Sequence, residues 1–169
     1  MKKQYTLTLC ILLSSIFTSF GQVEKMEAAF IYNFASLVNW PASYQSGDFV
    51  IAVLGNSPII KDLEDIAKAK KAGAQTIVVK KIGSASEIGN AQIVFIPDGQ
   101  KGKLGDVVTQ TASTSALIIS ESSGLAAKGS VINFILVDEK LRFELNESKA
   151  TAKSLKLAPN LVKLGIPVK

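Results

Sequence analysis

Between residues 26 and 38, apolar side chains recur at Met26, Phe30, Phe34 and Leu37, with Val38 beside them. That spacing marks one face of a helix, and Ile31 and Ala35 widen the stripe. Trp40-Pro41 ends it, because the residue before a proline disfavours the α region. The periodicity leaves Tyr32, Asn33 and Trp40 unexplained. Asn33, polar beside an apolar stripe, is expected to be buried and hydrogen-bonded. Either ring, if exposed beside an apolar patch, would mark a docking surface.

Short apolar runs follow: 49-FVIAVLG-55, 76-TIVVK-80, 92-QIVFIP-97, 115-SALIIS-120 and 131-VINFILV-137. The first four are continuous rather than alternating, as expected of strands covered on both faces. Helical spacing separates them. In 57-SPIIKDLEDIAKAKK-71 a stripe runs through Ile59, Ile60, Leu63, Ile66 and Ala67, with Ser57 as a candidate N-cap and Pro58 at the first turn. A weaker stripe, Leu104, Val107, Val108 and Thr111, follows 101-KGK-103. Strand alternating with helix implies parallel crossovers. The pattern then changes: 131–137 and 141–146 are separated by 138-DEK-140, which is hairpin spacing, and Leu141, Phe143 and Leu145 alternate with Arg142 and Glu144. Asn146 can cap a helix running from Glu147 to about Leu157, and Pro159–Leu164 reads as a last helical turn. The expected fold is α/β, a three-layer sandwich with a mostly parallel mixed sheet and a C-terminal antiparallel hairpin.

The leader changes the picture of where this domain sits. Lys2 and Lys3, the apolar run 7-LTLCILLSSIF-17 and the small residues of 18-TSFG-21 make the pattern of a secretory signal peptide over residues 1–21. A single domain over 22–169 then remains, expected to be exported. The chain's one cysteine, Cys10, belongs to the leader, and the chain has no histidine. These absences remove thiol redox chemistry, Cys-His and Ser-His dyads and the usual zinc sites. With Lys2 and Lys3 gone, 17 basic residues stand against 14 acidic ones, and all but Arg142 are lysines scattered along the chain. Nucleic-acid binding would want clustered arginines and aromatic platforms, so no nucleic-acid partner is expected.

Carboxylate pairs are the acid-base chemistry left open. Asp62, Glu64 and Asp65 fall on a solvated helix face, Asp138 and Glu139 in a turn, and Glu144 on the wet side of the hairpin. None lies in an apolar context that would raise its pKa, so no catalytic residue, cofactor or metal site is expected. The turn 54-LGNSP-58 joins a strand to a helix N-terminus, where Asn56 and Ser57 could receive an anion. No glycine-rich dinucleotide or nucleotide motif accompanies it. The loop 120-SESSGLAAKGS-130 carries Glu121 and Lys128, with Gly124 and Gly129 free to take positive φ. Together these four polar residues suggest a solute-binding reading: an envelope module holding a small anionic ligand at the strand-end loops.

The segments "KMEAAFIYNFASLVNWP", "FVIAVLGNSP", "AQIVFIP", "SSGLAAKGSVINFILVDEKLRFELN" and "LKLAPNLVKLG" are collinear with the YfiR-like proteins, and the chain resembles that family over nearly all of residues 22–169. The resemblance implies a periplasmic regulator without catalysis, which binds the sensory domain of an inner-membrane signalling protein and holds it inactive. The partner is typically a diguanylate cyclase, so that release raises cyclic-di-GMP and promotes biofilm; here a sensor histidine kinase is the other candidate. A homodimer is also implied. By position, Tyr32, Asn33, Phe34, Trp40 and Pro41 match the family's first motif, with Phe30 a structural residue beside them. Gly129, Asn133, Phe134, Arg142, Phe143 and Asn146 match its hairpin motif. Tyr32, Trp40, Pro41, Glu121 and Lys128 are the candidate partner-binding residues. The chain departs from its relatives in lacking cysteines after the leader, which excludes disulfide-based redox control, and in placing Glu139 where a turn glycine would be easier.

Overall fold

A computed structural model describes residues 21–169. The expected leader, residues 1–21, lies outside the described residues except for Gly21. Helix α1 covers 21–37 and is followed by β1 (Val38–Asn39), β2 (Phe49–Leu54), α2 (Ile59–Ala69), β3 (Lys71–Ala72), β4 (Gln75–Ile82) and β5 (Ile93–Ile96). The chain continues through α3 (Leu104–Gln110), β6 (Leu117–Ser120), α4 (Leu125–Lys128), β7 (Ile132–Val137) and β8 (Lys140–Leu145). It closes with α5 (Glu147–Ala152), β9 (Lys156–Leu157), α6 (Pro159–Leu164) and β10 (Ile166–Pro167).

Eight strands form one sheet in the order β10-β8-β7-β6-β5-β2-β4-β3, while β1 and β9 pair separately. The five inner strands from β7 to β4 run parallel. β7 and β8 form the antiparallel hairpin, and the two outer strands, β3 and β10, contribute two residues each. The fold is therefore the expected α/β sandwich around a mixed sheet.

Strand β2 shows why the runs are unbroken. Phe49, Ile51 and Val53 pack into the cluster that holds α1 and α2, whereas Ala52 and Leu54 pack into the cluster under α3 and α4. A strand pressed from both sides has no wet face to mark with polar residues. β4 differs from the expectation. Val78 is exposed beside exposed Thr76 and Lys80, because the crossover from β4 to β5 is a 3-10 turn, Ala85–Glu87, too short to cover that face.

Helix α1 is rotated from the predicted stripe. Its buried positions are Glu27, Ala28, Ile31, Phe34 and the following Val38, while Met26 is 42% exposed and Phe30 and Leu37 are partly covered. Asn33 is exposed, contrary to expectation: it lies two residues, about 200°, around the helix from the fully buried Ile31. Three further elements differ. The 120–130 loop contains the single-turn helix α4, and α5 stops at Ala152, after which Ser154 takes a positive φ of 57°. The hairpin turn is two residues rather than three, Asp138 (φ 49°) and Glu139 (φ 60°).

Candidate functional site

The motif phenylalanines converge. Phe34 of α1 meets Phe143 of β8 edge-on at 5.2 Å and stacks on Phe134 of β7 at 6.1 Å. Phe30 closes the group at 5.9 Å from Phe143. Aromatic pairs in these orientations add to the area they bury. The cluster fixes α1 against the hairpin, although some hundred residues separate the two segments.

Below these rings runs a buried polar network. Asn133 Oδ1 accepts from Ser120 Oγ at 2.7 Å and from the Ser122 amide at 3.2 Å, and its Nδ2 donates to Glu144 Oε2 at 2.8 Å. Ser120 and Ser130 hydroxyls bond at 2.8 Å. Ser122 Oγ donates to Asp98 Oδ1, which, with Lys101, holds that carboxyl below its ordinary pKa. The Asp98 amide in turn donates to Glu121 Oε1 at 2.7 Å. One chain of bonds thus links the ends of β5 and β6 to the hairpin.

Glu121 faces α1. Its carboxyl hydrogen-bonds that of Glu27, a helix residue only 4% exposed. Burial, reinforced by the charge of Glu121, pushes the Glu27 carboxyl up to about 9. Burial also raises Glu121, opposed by the Asp98 amide and the Glu27 bond. Both carboxyls are thus raised, and the pair holds a proton in common. Glu24, one turn earlier on α1, has a buried Oε2 with no partner. The three carboxyls floor a cavity of about 270 Å³ walled by Val23, Phe134, Leu136 and Leu141. Sequence reasoning surveyed other carboxylates and passed over these. The available signal was Glu27 standing four residues before Ile31, on the core face.

The remaining candidates are placed as follows. Trp40 is 6% exposed and edge-on to Phe49 at 5.2 Å, its Nε1 without an acceptor. Tyr32 is half-buried beneath Lys70 Nζ, 5.5 Å from its ring centre. Pro41 is half-buried and Arg142 exposed. Asn146 caps α5 by accepting from the Lys149 amide at 3.1 Å. Gly124 opens α4 at φ 76°, and a Cβ on Gly129 would stand 2.6 Å from Val108. Ser57 Oγ accepts from the Ile59 amide, and the Gln100 side chain lies against Gly55 of the same turn. Lys128 lines a different hollow, with Asp98, Lys101 and Ser122. Glu121 and Lys128 thus line different hollows.

Two segments from opposite ends of the sequence, 26–41 and 129–146, thus meet through Phe30, Phe34, Phe134 and Phe143. The YfiR/HmsC-like family profile matches residues 24–166, spanning both. The chain belongs to the YfiR/HmsC-like family. That family is periplasmic and regulatory rather than catalytic, and acts with membrane sensor proteins. No curated protein matches the chain. Among solved structures, the ABC domain in complex with L-Trp from Streptococcus pneumonia is similar in fold, with a TM-score of 0.55 at 12% identity over 72% of this chain. The match spans 55% of that protein's chain. Among the described residues, no helix is long and apolar enough to cross a membrane, and no group of three acidic, His or Cys side chains could hold a metal ion.

Proposed function

We propose that this YfiR/HmsC-like protein is a non-catalytic periplasmic regulator that binds the sensor domain of an inner-membrane signalling protein and holds it inactive. The partner is a diguanylate cyclase, with cyclic-di-GMP and biofilm formation downstream, or a sensor histidine kinase. The family match over residues 24–166 carries the reading. Geometry supports it at the hairpin tip, where Leu136 is 60% and Val137 40% exposed, an apolar pair that folding alone does not use. Val23 and Leu136 border the carboxyl-floored cavity together, and Met26 stands one helical turn from Val23. The lining of different hollows by Glu121 and Lys128 weighs against the anion-binding reading.

Restraint of this kind works by differential affinity: the regulator binds the inactive conformation of its partner more tightly, and a signal acts by removing that difference. The test is capture of signalling proteins from solubilised envelope on tagged protein, followed by binding to the purified sensor domain. Wild type is expected to enrich one membrane signalling protein, and Leu136→Asp to weaken binding at least about tenfold, the usual scale of losing a buried apolar contact. If wild-type protein enriches no such partner from intact envelope, the reading fails.

A further inference from the structure

The carboxyl pair is unlike anything docking requires. Glu27 is buried on the core face of α1, and its carboxyl has another carboxyl as partner. We propose that Glu27 and Glu121 form a proton-dependent latch: while they share a proton, the first turns of α1 stay seated against the strand ends, and its loss unseats them and opens the cavity beside Leu136.

The groups facing the pair make the latch sensitive to protons alone. From α1 comes Glu24, whose charge adds to the repulsion on both members. The loop after β5 presents Asp98, whose charge raises Glu121 while its amide binds Glu121 Oε1. Lys101 is bonded to Asp98, at 3.0 Å, and contributes to neither shift. The hairpin presents Phe134, Leu136 and Leu141 to the cavity, and Glu144 is bonded to Asn133 on the polar network. No lysine or arginine contributes to the shift of either carboxyl. When the proton leaves, two anions face each other, Glu27 buried and Glu121 half-buried, with no cation opposite them, and an unpaired buried charge is among the costliest things a fold can contain.

The direction follows from proton counting. Between the ordinary carboxyl value of 4.5 and about 9, the folded pair holds a proton that the unfolded chain has released. Stability therefore falls as pH rises through that window. The latch lies within this chain, so its failure would leave the docking proposal standing, and failure of docking would leave the latch standing.

The test is carbon-13 NMR titration of the glutamate carboxyls in the purified protein, with hydrogen exchange at residues 27–31 corrected for intrinsic rates. Glu27 is expected to titrate above pH 7, and protection at 27–31 to fall at least about tenfold between pH 6 and pH 9, the equivalent of one proton-linked pH unit. Glu27→Gln keeps a donor toward Glu121 without a charge to gain, so its protection should stay level across that range. Titration of Glu27 below pH 6 would overturn the latch even if every variant failed to fold. So would a Glu27→Gln protein with the wild-type pH dependence.

Discussion

Two residues carry costs that their neighbours do not explain. Glu139 occupies the left-handed region at φ 60°, where a side chain costs roughly 1 kcal/mol and glycine costs nothing comparable. The two-residue hairpin turn demands positive φ at both Asp138 and Glu139. Glu139→Gly is accordingly expected to raise stability by about 0.5–1 kcal/mol in urea unfolding; a loss of stability would contradict the turn geometry. Trp40 is the other case. Its ring is buried against Phe49, but its Nε1 has no acceptor, so the indole brings a desolvated donor into the core. Trp40→Phe should cost less than about 2 kcal/mol, because the lost area is partly offset by removing an unsatisfied N–H. Trp40 is the chain's only tryptophan, so this measurement needs circular dichroism.

Among the elements, α1 and the hairpin matter most to one another. Phe34 touches Phe30, Phe134 and Phe143, and Phe34→Ala should cost about 3–5 kcal/mol. Asn133→Ala should cost about 2–4 kcal/mol in the same urea assay, since Ser120, the Ser122 amide and Glu144 would lose their common partner. A cost below about 1 kcal/mol would mean that water replaces the asparagine. The sequence reading found α1 but set its face slightly off. Met26, Phe30, Phe34 and Leu37 satisfy helical spacing, yet the buried line runs through Ala28, Ile31 and Phe34, with Glu27 beneath it. Two apolar stripes a residue apart fit the same pattern, and only packing against the hairpin chooses between them. Asn33 was misjudged and Glu27 passed over for that reason: the choice of face turns Asn33 outward and Glu27 inward. α4 was invisible because four residues have no periodicity to read, whereas β2 was legible as an unbroken apolar run, α2 by its helical stripe and the hairpin by the alternation of its second strand.

At the scale of the whole molecule, the alternation of strands and helices was enough to predict the sandwich. It could not say that β4 lies beyond β2 while β5, β6 and β7 line up on the other side, because periodicity carries no information about direction across a sheet. The carboxyl-floored site was hidden for the same reason: Glu27 and Glu121 lie 94 positions apart, and only the strand order brings them together. Residues 22–169 contain no cysteine, so reductant should leave both the thermal midpoint and partner capture unchanged. A shift in either on adding reductant would point to a thiol elsewhere in the assembly.

The sheet ends at both sides in a strand of two residues, one carrying Lys71 and the other Pro167. Past β3, the outer side of β4 is open from Ile77 to Ile82, and Lys80 and Lys81 stand on that stretch. Stubby borders, lysines and a proline discourage strand-to-strand accretion. In a crowded envelope this makes the protein a poor seed for fibrils even when it is abundant. It also means that a visitor must recognise the surface by its side chains, so specificity rests on a few residues that selection can alter one at a time without redrawing the fold.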